Sequence, residues 1–192
     1  MRESATTDAE DLERIRRGEP SGAASLFEKY SASLLRFTDR MLQCRSDAEE
    51  ITQEVFLRMI TRVEQYDGSA PVASWLFAIA ANACRDRLRK GRRAGNVSID
   101  AVAEPSDKGE PIEHRLMDEE RKRAVRRALS LLSEEQREAL VLARYHGMPY
   151  AEIARTLQIS EGAVKTRIFR AMETLKARFT EGDSPWNAAT SS

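Results

Sequence analysis

Cysteine and histidine are almost missing from this chain. Its 192 residues include two cysteines, Cys44 and Cys84, and two histidines, His114 and His146. The cysteines lie far apart without companion histidines and fit no zinc spacing, so buried free thiols are expected. His146 precedes a glycine that reads as a helix end, the place of a C-terminal dipole partner rather than of a catalyst. There is no glycine-rich phosphate loop and no Ser/His/Asp arrangement. Adjacent carboxylates such as Glu49 and Glu50 read as ordinary helix-surface acids. These gaps predict a protein that is not an enzyme, with no catalytic residues, no metal and no cofactor. No apolar run approaches the roughly 20 residues that a membrane span needs. The N-terminal stretch MRESATTDAEDLERIRRGEP is polar and acidic, unlike a signal peptide. A cytoplasmic protein is the expectation. Net charge is lacking too, since 31 Lys+Arg balance 31 Asp+Glu. Nothing pulls the whole chain toward nucleic acid, so the position of charges must carry that argument.

What the chain does have is helix. With 32% charged and 41% hydrophobic residues, the composition is that of a soluble, helix-rich protein, and the periodicity predicts an all-α fold of two small helical domains. The most structured message lies in YAEIARTLQISEGAVKTRIFRAM, from Tyr150 to Met172. Ala151, Ile153, Ala154 and Leu157 give a first helix its apolar face, Ile159 plugs a turn, and Ser160 caps a second helix. Val164, Ile168, Ala171 and Leu175 then recur at helical spacing as a buried stripe. Lys165, Thr166, Arg167 and Arg170 are left facing outward. A helix-turn-helix needs an apolar underside to fix it and an exposed basic face for the major groove. The bland alternative is two ordinary packed helices. Gln158 stands where many such turns place glycine for a left-handed backbone, and Gly162 weakens the second helix by about 1 kcal/mol relative to Ala.

Read in order, residues 1–19 look like a flexible leader, with room for a short helix from Asp8 to Arg17. A long helix comes next, with Leu26, Phe27, Tyr30, Leu34, Leu35, Phe37, Met41 and Leu42 at helical spacing. Ser46-Asp47 is expected to cap the next helix, on which Asp47, Glu50 and Glu54 stack into an acidic ridge with Gln53 beside them. That ridge is either a solvated face whose early acids suit the helix dipole or a docking surface for a basic partner. A loop, Asp67-Gly68-Ser69-Ala70-Pro71, leads into a helix that Pro71 starts and that Ser74 or the loop before it caps. Along it Leu76, Ala80, Cys84 and Leu88 face inward, while Asn82, Arg85, Asp86, Arg89 and Arg93 lie on another face. Between Arg85 and Arg93, Arg85, Arg87, Arg89, Lys90, Arg92 and Arg93 stand against the single acid Asp86. In a neutral protein such a cluster suits phosphate, although a basic C-terminal helix end also complements the helix dipole. Residues 94–113, rich in Gly, Pro, Ser, Asp and Glu, read as a linker. A stretch of about twenty residues can span on the order of 60 Å, so the two halves could sit on different surfaces of one target. The second domain, 114–180, adds a helix with Leu116, Ala124, Leu129 and Leu132, then a helix opened by the capping box of Ser133 and Gln136 and closed by Gly147. Residues 181–192 read as a disordered tail.

The order of these segments resembles the bacterial RNA polymerase sigma factors, specifically the small extracytoplasmic-function (ECF) group. DAEEITQEVFLRM, SWLFAIAANACRDRLRK and LSEEQREALVLARYHGMPYAEIARTLQISEGAVKTRIFRAMETLK carry the resemblance. It implies a region 2 domain at 20–93 and a region 4 domain at 114–180. It implies that Asp47, Glu50, Gln53 and Glu54 dock on the β′ clamp helices of core RNA polymerase. Trp75 and Asn82 would belong to the surface that opens the minus-ten element, with a non-template base flipped into a pocket lined by the loop from Asp67 to Ser74. Arg85, Arg89 and Lys90 would hold phosphates there. Glu161, Lys165, Thr166, Arg167 and Arg170 would read the minus-thirty-five element, with this domain also touching the β flap. The implied partners are core polymerase, promoter DNA and an anti-sigma factor, with no small-molecule substrate. The chain departs from the family pattern at Asp67, where an Arg is usual, at Val72, in place of an aromatic, and at Ala81, where Arg is common.

Two other readings compete. A stand-alone helix-turn-helix regulator has no need of a basic, Asn-bearing helix in its sensory half. A helical interaction adaptor would not depend on Arg167 and Arg170 for DNA binding.

Overall fold

The computed structural model describes residues 7–93 and 112–178, and every regular element among them is helical. The elements are α1 (Asp8–Arg16), α2 (Pro20–Leu42), α3 (Arg45–Thr61), a 3-10 turn (Val63–Gln65), α4 (Val72–Arg93), α5 (Ile112–Ser130), α6 (Glu134–Tyr145), α7 (Tyr150–Leu157) and α8 (Glu161–Lys176). Most of the expected linker, the last two residues of the expected second domain and the expected tail at 181–192 lie outside the described residues.

Within the expected leader, the short helix from Asp8 forms as α1 and is docked on the domain rather than loose; residues 1–6 lie outside the described residues. Thr7 and Glu10 form a capping box that starts α1, and Leu12 and Ile15 bury themselves against the domain. Asp8 accepts from Lys29 Nζ at 2.5 Å and from the Tyr30 hydroxyl, and Asp11 accepts from Ser25 Oγ at 2.6 Å. Gly22 makes this approach possible, since a Cβ there would meet the Asp11 carbonyl oxygen at 2.3 Å. Arg16 then reaches across the domain. Its guanidinium donates to the carbonyl oxygens of Tyr66 at 2.8 Å and Val63 at 3.3 Å, which ties α1 to the loop before α4.

Pro20 opens α2 at its first position, where its missing N–H costs nothing, and Gln43 ends it in the left-handed region at φ 57°. Leu26, Leu34, Phe37 and Met41 of α2 pack with Ile51, Val55 and Met59 of α3 and Leu76, Ala80 and Cys84 of α4. The expected Ser46 cap is not used. Cys44 is the N-cap of α3, without a side-chain cap bond, and Ser46 lies one residue inside the helix. Ser74 likewise caps nothing: α4 begins at Val72, and Ser74 is buried within it. Cys84 is fully buried and its thiol is pushed well up by burial, while Cys44 is partly exposed and free.

In the second half, Ser133 and Gln136 form the expected capping box of α6. Val164, Ile168, Ala171 and Leu175 are the buried stripe of α8, and Ser160 Oγ accepts from Ala163 N at 3.1 Å. Gln158 takes the left-handed conformation, φ 56°, that this turn demands. Ala151, expected on the apolar face of α7, is exposed, and Thr156 is buried there in its place.

The two halves are packed together and form one continuous core, rather than standing apart. Helix α7 lies on α4, and α6 lies on the end of α2.

Candidate functional site

Three surfaces collect the residues that the sequence singled out. The first is the acidic ridge of α3. Arg87 of α4 reaches it, 3.0 Å from Asp47 Oδ1 and in direct contact with Glu50. Glu54 pairs with Arg58 at 2.6 Å. The ridge is therefore partly neutralised by the chain's own arginines. Gln53 stands exposed on it. Its outward row continues as Gln53, Leu57 and Ile60, and the last two are 64% and 44% exposed. On neighbouring α2, Phe27 is 51% exposed and its ring lies 4.8 Å from that of Phe56. An acidic edge running into an exposed apolar patch is a surface suited to a protein partner. Phe27 is not legible as a surface residue in the sequence, because its spacing reads as core.

The second surface is the loop and first half of α4. Asp67 Oδ1 accepts from Ser69 N at 2.9 Å, and these hydrogen bonds hold its carboxyl below the ordinary range. Gly68 adopts φ +75° beside it. The Tyr66 hydroxyl donates to the Ala70 carbonyl at 2.5 Å, which closes the loop. The Tyr66 ring lies 5.1 Å from Trp75, tilted by 44°. Trp75 is thus held from one side and partly open on the other. Trp75, Asn82 and Arg89, seven residues apart, share one side of the helix, with Asn82, Arg89 and Lys90 exposed. Arg85 sits at the edge of that row. It donates to Asn82 Oδ1 at 2.5 Å and lies 3.7 Å from Glu138 Oε1 of α6. Arg89 is paired with Asp86 at 2.8 Å. All five expected residues fall on one helix, but Arg85 is partly covered rather than free.

The third surface is the outward side of α8. Glu161, Lys165, Thr166 and Arg170 are exposed, with Arg167 half-buried. Lys165 and Glu161 pair at 3.0 Å, one turn apart. Thr166 Oγ1 donates back to the Gly162 carbonyl at 2.9 Å. Phe169, 66% exposed, stands among them and is not among the residues expected there. An aromatic at that position is signalled only by its failure to fit the Val164–Ile168–Ala171–Leu175 stripe.

His146 differs from its expected role. It caps the end of α6, but its ring lies 4.7 Å from Phe77 and 6.0 Å from Phe37. Burial, aided by Arg40 and Arg36, pulls its pKa down to about 4. At neutral pH it carries no charge to offer a helix dipole. Glu138 is buried completely, and neither carboxylate oxygen has a hydrogen-bond partner in the protein. Burial pushes it up to about 6 against the pull of Arg85 and Arg167. Among the described residues, no cluster of His, Cys, Asp and Glu could hold a metal ion, and no helix is long and apolar enough to cross a membrane.

Comparison with known proteins gives this arrangement its place. Residues 26–94 match the family model for Sigma-70 region 2, and residues 122–175 match that for Sigma-70, region 4. The chain is 32% identical to RNA polymerase sigma factor CarQ of Myxococcus xanthus over 86% of its own length and 93% of that protein. It is 28% identical to the ECF RNA polymerase sigma-E factor of Escherichia coli K12, over 88% of this chain and 92% of that one. Two solved structures share its fold at 24% identity. CnrH, in complex with the cytosolic domain of CnrY, gives a TM-score of 0.66 over 91% of this chain and 97% of that one. RpoE of Bartonella quintana, in complex with the anti-sigma factor NepR, gives 0.63 over 80% and 94%. The chain belongs to the RNA polymerase sigma factors of the sigma-70 type, in their ECF group. Proteins of this family regulate transcription rather than catalyse a reaction of their own.

Proposed function

We propose that this chain binds core RNA polymerase, directs it to promoters with two spaced elements, and melts the nearer one. The observation that carries the reading is the row Trp75, Asn82, Arg89 on α4, set beside a hydrogen-bonded loop. A partly exposed aromatic, an amide and phosphate-binding cations on one face suit a single strand. Stacking contributes about 1–3 kcal/mol per base, the order of the cost of extruding one. Arg85, Arg89 and Lys90 hold the backbone. Arg89 is held at present by a surface ion pair with Asp86, worth about 0–1 kcal/mol, which a phosphate can displace. The loop from Asp67 to Pro71, with the first turn of α4, lines the pocket for the flipped base.

The outward side of α8 reads the upstream element in the major groove. Arg167 and Arg170 contact base edges or phosphates, Glu161, Lys165 and Thr166 complete the polar surface, and Phe169 meets a thymine methyl. This domain also touches the β flap. Asp47, Glu50, Gln53 and Glu54 dock on the β′ clamp helices, with Leu57 and Ile60 extending the contact. The solved relatives in complex with CnrY and NepR support an anti-sigma factor as a further partner. The chain acts in the cytoplasm, where the polymerase is.

The test is permanganate footprinting of open complexes formed by core polymerase with this protein. Arg85→Ala combined with Arg89→Ala should leave core affinity intact and reduce thymine reactivity in the melted stretch about tenfold or more. Normal melting by that double variant would refute the assignment of the face.

A further inference from the structure

Helix α1 serves none of the three surfaces, and it lies ahead of the region 2 match, which begins at residue 26. Arg16 is not what docks it. Leu12 and Ile15 are buried against the domain, Asp8 holds Lys29 and Tyr30, and Asp11 holds Ser25. Arg16 is left with another task. It is half-buried and steadied by Glu13 on its own helix, and Glu64 of the 3-10 turn lies 3.9 Å from its Nε. A single nitrogen, Nη2, donates to two backbone oxygens far along the chain, that of Tyr66 at 2.8 Å and that of Val63 at 3.3 Å.

The loop that follows Tyr66 has little else to hold it. Asp67, Gly68 and Ser69 are exposed, so no apolar packing orders them. Its shape rests on hydrogen bonds. Ser69 N donates to Asp67 Oδ1 at the tip, and the Tyr66 hydroxyl donates to the Ala70 carbonyl at the far end. The second of these depends on where Tyr66 stands. Its carbonyl is aimed at Arg16, its ring lies 5.1 Å from that of Trp75, and its backbone is extended at φ −81° and ψ 111°. A hydrogen bond from a charged donor is stronger than one between neutral groups, and here it fixes the plane of the peptide between Tyr66 and Asp67. If that peptide turned, the ring on Trp75, the hydroxyl on Ala70 and the Asp67 carboxylate would all shift with it.

We propose that Arg16 is a positioning residue for the minus-ten pocket: through the Tyr66 and Val63 carbonyls it fixes the start of the loop that lines the pocket, and so sets how strictly the flipped base is chosen. This rests on the reading of that loop and Trp75 as the pocket. In this role Arg16 need not touch DNA, since its guanidinium is turned to the protein's own backbone. A recognition loop selects among bases only if its polar groups stand in place before the base arrives. A looser loop still lets a base stack on Trp75, because stacking tolerates any sequence. What it gives up is the hydrogen-bond geometry that tells one base from another. The effect of Arg16 therefore falls on the choice of base at one position, and not on melting as a whole.

Two measurements on the full chain test this. Both use Arg16→Met, which keeps an apolar stem without the donor, and Arg16→Lys, whose ammonium can donate to the same oxygens. First, Trp186→Phe leaves Trp75 as the one tryptophan. In the free protein Arg16→Met should raise acrylamide quenching of Trp75 about 1.5-fold or more as the Tyr66 ring loosens, with helix content unchanged by circular dichroism. Arg16→Lys should be quenched like the protein with Arg16 intact. Second, run-off transcription with core polymerase is measured on one promoter carrying each of the four bases in turn at every position of the nearer element. Arg16→Met should lower the preference at a single position about fivefold and leave the other positions within about twofold, and Arg16→Lys should restore it. Unchanged quenching or unchanged preference would overturn the proposal. So would an equal loss at every position, the mark of a merely structural part, or a lysine variant as indiscriminate as the methionine one. No initiation by the unsubstituted protein on any promoter would instead count against the promoter reading, while the quenching still judges whether Arg16 holds the loop.

Discussion

Single residues already carry testable energetics. Glu138 is raised from the ordinary glutamate value of 4.5 to about 6 by burial. A carboxyl whose folded pKa is raised binds its proton more tightly when folded. It costs little below the unfolded pKa, and its full penalty develops as pH rises through about 6. Glu138→Gln removes the ionisation, so denaturant unfolding at pH 8 should find it more stable by about 2 kcal/mol, the worth of roughly 1.5 pKa units. That gain should vanish near pH 4.5. His146 acts in the opposite sense. Its lowered pKa means that the unfolded chain protonates first, so its stability is present above about 6.5 and is lost as pH falls toward 4. His146→Phe should therefore flatten the acid limb of the stability curve, and an unchanged limb would remove His146 from the account. Gln158 holds φ 56° in the turn between α7 and α8. Gln158→Gly should raise stability by about 1 kcal/mol, because glycine takes that conformation without the Cβ penalty. A loss of stability would mean that the side chain contributes more than the backbone costs.

At the scale of elements, local signals are readable in the sequence and distant ones are not. The stripe of α8, its Ser160 cap and the Ser133–Gln136 box arise from spacings of three and four residues, which a sequence displays directly. The docking of α1 depends on Gly22 meeting Asp11 across a turn and on Arg16 reaching Tyr66, and neither pair has a periodic signature. The Thr7–Glu10 box is the one local clue to it. Gly22→Ala would drive a Cβ into the Asp11 carbonyl and Arg14 Cβ, at 2.3 and 2.8 Å. It should detach α1, cost about 2 kcal/mol, and expose residues 8–17 to limited proteolysis, with the tie to Tyr66 lost as well. Proteolysis at the native rate would show that α1 tolerates the displacement. On α3, the acids Asp47, Glu50 and Glu54 are legible as a ridge, but the pairing of Asp47 and Glu50 with Arg87 is not, since Arg87 comes from another helix. Glu50→Lys with Glu54→Lys should weaken binding to core polymerase about tenfold in a competition assay. Unchanged affinity would return the ridge to a solvated helix face.

For the whole molecule, the sequence displays two helical units joined by a polar stretch, which suggests halves that work at a distance. The packing of α7 on α4 and of α6 on α2 changes that picture. It depends on a small residue at 81, on aromatic contact with a neutral histidine, and on scattered arginine-to-carbonyl bonds, none of which leaves a pattern within one helix. The surfaces proposed for melting, upstream reading and polymerase docking thus lie on one continuously packed body. The central claim is that these surfaces act together on polymerase at a promoter. Run-off transcription tests it most directly, with purified core RNA polymerase and a library of promoter fragments, in the presence and absence of this protein. The account predicts initiation that depends on the protein, from fragments sharing one pair of spaced elements. Tight binding of the protein alone to duplex DNA, with no initiation from any fragment, would contradict it.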